Sequence, residues 1–303
     1  KGEFFVKATS KGLGSSGSKS SFEALLGKDE VIKLRNTWYV GSLNKFGYSA
    51  SVEYSNIGDF SVFMKDKKIL DLNLEILNFD FMLGTFLSNN QMIGLGVKKE
   101  SLKVESNTLL TLYNEVQFNN SYNVVFFKYF YDSLDNKYFP KNGAFMDFEL
   151  QYSDENIGDL DFLRYTLKFN KPLKLSNKLI SNFGGEGAYI EGDSISPYYI
   201  PRLGGIYNRN NSIYFWGLKT SSQISEKIYS GFEELFYEFK PSRYIFLRYN
   251  MAFITPNEVY TDKMLIGGGI GVGAKTPLGP IQLILATSNE ESIISYFNIG
   301  YNF

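Results

Sequence analysis

Ile293-Ile294-Ser295-Tyr296-Phe297-Asn298-Ile299-Gly300-Tyr301-Asn302-Phe303 closes the chain, and its reading decides the fold. Successive side chains of an extended strand point to opposite faces. Ile293, Ser295, Phe297, Ile299, Tyr301 and Phe303 therefore share one face, and Ile294, Tyr296, Asn298, Gly300 and Asn302 the other. An apolar row backed by a mixed, polar row is the pattern of a wall between hydrocarbon and a polar interior.

The same period recurs upstream. Tyr48, Ala50, Val52 and Tyr54 oppose Ser49, Ser51 and Glu53. Ala144, Met146, Phe148, Leu150 and Tyr152 oppose Phe145, Asp147, Glu149 and Gln151. Leu163, Tyr165, Leu167 and Phe169 oppose Arg164, Thr166 and Lys168. Turn signals such as Lys240-Pro241-Ser242 and Thr276-Pro277-Leu278-Gly279-Pro280 punctuate these runs. Helical periodicity is scarce, so the chain reads as all-β.

Strands are predicted near 2–10, 18–26, 30–41, 46–54, 58–66, 69–87, 91–104 and 121–132. Further strands are predicted near 143–153, 159–170, 178–190, 227–239, 242–253, 263–275, 280–288 and 293–303. That is roughly sixteen, an even number as bacterial membrane barrels require. The expected fold is a 16-stranded antiparallel transmembrane β-barrel over residues 1–303. Within 69–87 the apolar phase flips from Leu70, Leu72, Leu74 and Ile76 to Leu77, Phe79, Phe81 and Leu83, which predicts a β-bulge or a missed turn near Leu77. Leu109 to Phe118 reads as loop. The longest connection, about Gly192 to Glu226, is expected to start on the extracellular side, since such barrels keep short turns in the periplasm.

Three features favour a membrane barrel over a soluble sandwich. The strands are about ten residues long, enough to cross a bilayer at a tilt. Aromatics recur near strand ends of the apolar face, at Tyr152, Phe169, Tyr189, Phe239, Phe253 and Phe303. The opposite face carries isolated charges, Asp147, Glu149, Arg164, Lys168, Glu234 and Arg248, where a sandwich core demands apolar groups.

Composition narrows the chemistry. The chain has no His and no Cys, so imidazole bases, thiolate nucleophiles and thiolate metal sites are excluded. Lys+Arg (31) and Asp+Glu (32) nearly cancel, which gives no field for nucleic acid. Gly269, Gly271 and Ala274 fit G-x-G-x-x-A, but the stretch lies within a strand rather than opening a helix. Strand glycines of this kind allow close approach of a plug or loop. Gly14-Ser15-Ser16-Gly17-Ser18 departs from a nucleophile elbow at its last position. No catalytic residue, cofactor or metal is expected. Lys1 opens no apolar signal-peptide core, so the chain is expected to be part of something longer.

Three segments carry a resemblance. Asp132, Asp135, Asn136, Phe139, Pro140 and Gly143 match D-x-x-D-N-x-x-F-P-x-x-G. Arg202-Leu203-Gly204-Gly205 opens a long loop that holds Arg209 and Trp216-Gly217. Gly271, Gly273, Thr276, Pro277, Gly279, Pro280 and Ile281 fit G-x-G-x-x-x-x-T-P-L-G-P-I with altered spacing. In this order, ahead of a terminal Phe, they resemble the outer-membrane assembly and translocation barrel superfamily, the bacterial surface antigen family. That family includes the barrel-assembly protein, two-partner secretion transporters and patatin-like autotransporters. The resemblance implies a sixth external loop that folds into the lumen, with an Arg that reaches an acidic wall residue. Here Arg209 is the candidate and Glu234 its partner, although Arg209 is followed by Asn210 where the family has Gly.

This departure, with Leu25-Leu26-Gly27 after the second strand, is most similar to the patatin-like phospholipase autotransporters of type V d secretion. The resemblance then implies an outer-membrane translocator that secretes or displays an N-terminal passenger, a patatin-like lipase, with a POTRA domain between them. Neither upstream domain is in this chain. The implied partners are outer-membrane lipid, the barrel-assembly machinery and the protein's own passenger. Phe297, Ile299, Tyr301 and Phe303 would form the C-terminal assembly signal. A passive porin or transporter, an outer-membrane assembly insertase and a surface anchor or adhesin stand as alternatives.

Overall fold

A computed structural model describes residues 4–11, 18–27, 29–40, 46–64, 67–88, 90–106, 117–158, 160–193, 195, 198–206, 211–255, 262–277 and 279–299. All regular structure in these residues is β. The long strands are β1 (Phe4–Lys11), β2 (Lys19–Leu26), β3 (Asp29–Val40), β4 (Phe46–Met64), β5 (Lys67–Ser88), β6 (Gln91–Ser106) and β7 (Gln117–Asp132). β8 (Phe145–Ser153), β9 (Asp161–Lys174) and β10 (Leu179–Asp193) follow. Three two-residue strands, β11 (Arg202–Leu203), β12 (Ser212–Ile213) and β13 (Gln223–Ile224), lie in the long loop. β14 (Lys227–Lys240), β15 (Arg243–Thr255), β16 (Lys263–Thr276), β17 (Gly279–Ser288) and β18 (Ile294–Ile299) complete the chain. The fifteen long strands hydrogen-bond in chain order, and the short ones form a separate sheet in the order β12-β11-β13.

Two expectations are corrected. The segments expected at 46–54 and 58–66 are not separate strands: β4 runs unbroken over Phe46–Met64, so fifteen long strands are seen among the described residues and the long loop follows the tenth. Gly58-Asp59 resembles a turn in sequence, but the ladder passes from Ile57↔Leu74 to Phe60↔Leu72, and the extra residues form a bulge. No bulge lies at Leu77: the register runs unbroken through Ile76↔Ser55 and Leu77↔Tyr54. The phase flip is a change of environment along one long strand. Leu72, Leu74 and Ile76 are buried on one face, whereas Leu77, Phe79, Phe81 and Leu83 are exposed on the other. The loop expected at Leu109–Phe118 lies outside the described residues up to 116, and β7 starts at Gln117.

The chain divides into two compact units. The first comprises Lys1–Tyr129, Glu149–Leu163 and Gly192–Ile195. On its covered face Leu74, Ile76, Leu102, Val104 and Tyr122 are buried. The same face also carries the ion pairs Lys33–Glu53 and Lys128–Glu149. The second unit comprises Phe130–Phe148, Arg164–Glu191 and Ser196–Phe303. Its outward face exposes a continuous apolar row that includes Leu247, Ile270, Val272, Leu283, Leu285 and Phe297. The aromatic positions Tyr152, Phe169, Phe239 and Phe253 are exposed on outward faces too. A soluble protein rarely exposes an apolar surface of this extent. Hydrocarbon outside the wall makes it favourable.

Candidate functional site

In the second unit, the described residues of the long loop, 198–206 and 211–226, lie against the covered face of the sheet. Its own sheet starts at Arg202, whose backbone N–H donates to the Asn211 carbonyl (2.8 Å). Arg202 is buried, and that burial lowers its guanidinium to about 10. Gly204 and Gly205 have φ of 126° and 85°, the left-handed region that favours glycine. Their N–H groups donate to Ile213 and to Phe215 and Leu218, which folds the loop back on itself.

The loop is then stitched to the wall by main-chain recognition. Asn250 of β15 accepts the Trp216 N–H (3.2 Å) and donates to the Trp216 carbonyl (3.3 Å). Tyr296 of β18 accepts the Gly217 N–H (3.0 Å) and donates to the Leu218 carbonyl (2.6 Å). Ser288 of β17 donates to the Gly217 carbonyl (2.7 Å). At Gly267 of β16 an added Cβ would collide with the Trp216 carbonyl oxygen. This explains the first part of the Gly267–Gly273 run. Gly271 gives way instead to the Phe246 ring.

A buried charge cluster sits beside this stitch. Arg248 lies 3.9 Å above the Phe232 ring and 5.3 Å from the Trp216 ring. Its carboxylate partner is Glu234, directly opposite in the β14–β15 ladder at 4.0 Å. Both side chains are about one-tenth exposed. Elsewhere, Arg164 of β9 donates to the Asn211 side-chain oxygen, and Asn211 donates to the Tyr198 carbonyl. The polarity is therefore wall cation to loop acceptor. Arg209, expected to meet Glu234, lies outside the described residues.

The Asp132–Gly143 segment is a side-chain-capped turn between β7 and β8. The Asp132 carboxylate accepts the Leu134 N–H (3.1 Å). Asp135 accepts N–H groups of Lys141 (2.9 Å) and Asn142 (3.2 Å), and Asn136 those of Tyr138 and Phe139 (both 3.0 Å). Gly143 has φ 94°, and a Cβ there would strike the Ser133 carbonyl. The turn drives Phe139 and Pro140 into burial. Phe139 stacks on Tyr244 (4.4 Å) and meets Phe236 edge-on (6.1 Å). Phe246 touches Phe139 on one side and Trp216 on the other, so turn and long loop share one core. At the β16–β17 turn, Thr276 donates to the Gly279 carbonyl (2.7 Å), and Gly279 has φ 106°. Pro277 follows β16 and Pro280 pairs with Lys275. Phe297 and Ile299 are exposed on the outward face, and Tyr301 and Phe303 lie outside the described residues.

The sequence profile of the OMP85 superfamily matches residues 36–303. The chain belongs to the OMP85 superfamily. Solved structures agree on the fold. BamA from Haemophilus ducreyi lacking POTRA domains 1–3 has TM-score 0.75 at 12% identity over 98% of this chain. CdiB from Acinetobacter baumannii has TM-score 0.60 at 11% identity over 98% of it. The chain spans 66% and 59% of those two structures. No curated protein matches the sequence. This OMP85 chain is thus an antiparallel outer-membrane β-barrel of the bacterial kind.

Sequence reasoning had placed Trp216-Gly217 in the long loop and Arg164, Glu234 and Arg248 on the polar face. It missed Asn250, Tyr296, Ser288 and Asn211. The available signal was phase: Asn250 falls on the polar phase that holds Arg248, and Tyr296 and Asn298 on the polar phase of the last strand.

Proposed function

We propose that this barrel is the translocator of a type V d secretion protein. It anchors an N-terminal passenger, a patatin-like lipase, in the outer membrane and helps carry or display it at the bacterial surface. The barrel itself performs no catalysis in this reading, and needs no cofactor. Outer-membrane lipid meets its outward row, and the barrel-assembly machinery inserts it.

The observation that carries this reading is the way the long loop is held. Side-chain hydrogen bonds to three consecutive loop residues, Trp216, Gly217 and Leu218, fasten it to the wall, and such bonds can exchange without breaking the barrel's ladders. In the first unit, the covered face carries ion pairs that keep 14–25% of their side-chain surface accessible. Paired charges of both signs give a wetted wall without a strong net field, which suits passage of an extended chain of any charge.

The test uses the full protein with its upstream region. The barrel chain has no Cys of its own, so a cysteine pair tying the long loop to β17 introduces its only disulfide. Passenger exposure to added protease should fall on oxidation and return on reduction. Unchanged exposure overturns the release of the long loop on which this reading depends. A large, steady conductance with the long loop intact would favour a passive channel instead. The likeness to BamA favours a second reading, outer-membrane assembly. Loss of other folded barrels when this protein is depleted would support it.

A further inference from the structure

We propose that the wall formed by β15, β16, β17 and β18 is a binding cradle for an aromatic–glycine–aliphatic peptide segment. The long loop occupies it in cis, and a polypeptide passing through the barrel can take its place. The identity of that competing chain rests on the translocator reading above; the cradle itself rests on geometry.

The wall reads main chain rather than side chains. Asn250 presents an amide that pairs with both the N–H and the C=O of Trp216, as a second peptide group would. The Tyr296 hydroxyl accepts from Gly217 and donates to Leu218, and Ser288 donates to Gly217. Every N–H and C=O these bonds reach belongs to three consecutive residues. A sheet edge recognises a passing strand through the same groups.

Three further features set the ligand class. The Arg248 guanidinium lies by the Trp216 ring, which selects an aromatic at the first position. Gly217 has φ 90°, and a Cβ there would strike the Thr287 carbonyl, which demands glycine at the second. Leu218 is fully buried beside Leu203, Ile254 and Leu265, which suits an aliphatic at the third. Gly267 keeps the floor open beneath the Trp216 carbonyl.

A tethered occupant competes at an effective concentration in about the millimolar range. A free peptide at low concentration therefore fails against the native loop, whereas a chain threaded through the same barrel shares that advantage. The test accordingly weakens the occupant first. The purified barrel carrying Trp216→Ala is mixed with a fluorescent peptide of sequence Ser-Ile-Tyr-Phe-Trp-Gly-Leu, identical to residues 212–218. The peptide should bind, and binding should weaken at least about tenfold on adding Asn250→Leu, or when alanine replaces the peptide's glycine. Equal binding of a scrambled peptide, of the alanine peptide or to the double variant overturns the proposal. If Trp216→Ala does not fold, the wild-type barrel is exposed to a photo-crosslinking version of the peptide at millimolar concentration. Cross-links on β15 or β18 support the cradle, and their absence overturns it. Passenger display is followed in parallel. Display without peptide binding removes the cradle and leaves the translocator reading standing.

Discussion

The Asn250 side chain pairs with the backbone of Trp216 through both its oxygen and its nitrogen, in a setting where Asn250 is fully buried. Asn250→Leu keeps the volume and removes both bonds. It leaves the Trp216 N–H and C=O buried without these partners, at about 1–3 kcal/mol each. The expected result is a lowered urea midpoint for the folded barrel and faster protease cleavage within 194–226.

Two glycines of the same sheet should respond differently to one methyl group. Gly267→Ala drives a Cβ into the Trp216 carbonyl, and overpacking of that kind costs about 1–3 kcal/mol. At Gly231 the nearest atom to an added Cβ is the Gly184 carbonyl oxygen at 3.9 Å, so Gly231→Ala should leave loop protection unchanged. Limited proteolysis of the two variants side by side makes the comparison. Equal cleavage of both would refute the close-approach role of Gly267.

Glu234 and Arg248 form a buried pair, and breaking one half strands a charge. Glu234→Gln should destabilise the barrel by about 3–5 kcal/mol. The double variant Glu234→Leu/Arg248→Met removes both charges and should recover most of that loss. Chemical denaturation of the three proteins reads the coupling. Additive effects would show that the two do not act as a pair.

Leu247 is 55% exposed on the outward face. On a soluble surface Leu247→Lys would be nearly silent. Facing hydrocarbon, the added charge costs from about 1 kcal/mol near an interface to about 4 kcal/mol at the bilayer midplane. Reversible folding into lipid vesicles measures the difference, and a silent substitution would argue against the lipid-facing assignment of that row.

The turn at Asp132–Gly143 should loosen in acid. Burial pushes the Asp135 carboxyl up, but the N–H groups of Lys141 and Asn142 outweigh it and hold it below its ordinary value. A depressed carboxylate adds stability that is full above its unfolded-state value, about 3.9, and is lost as pH falls through the lower folded value. Hydrogen exchange at Lys141 and Asn142 should therefore accelerate, relative to intrinsic rates, only below about pH 4. Asp135→Asn should abolish that dependence while exchange is raised throughout.

What the sequence by itself determined is the face of each strand. Alternation is local: Ile293, Phe297 and Ile299 share a side whatever strand lies next to them, so the outward row was legible before any pairing was known. The Asp135–Asn142 turn is legible for the same reason, since its bonds close within a few residues. Tertiary structure alone decided the partners. Trp216 meets Asn250 and Gly217 meets Tyr296 across 34 and 79 residues, and no local pattern encodes which wall position lies opposite a loop. The continuity of β4 is of this second kind. Whether Gly58-Asp59 turns or bulges depends on the strand across from it, and β5 runs long enough to carry the ladder past. The phase flip at Leu77 also needed the third dimension, because Leu72, Leu74 and Ile76 are covered on one face of β5 while Leu77, Phe79, Phe81 and Leu83 are exposed on the other, and only the packed structure shows which face is covered where.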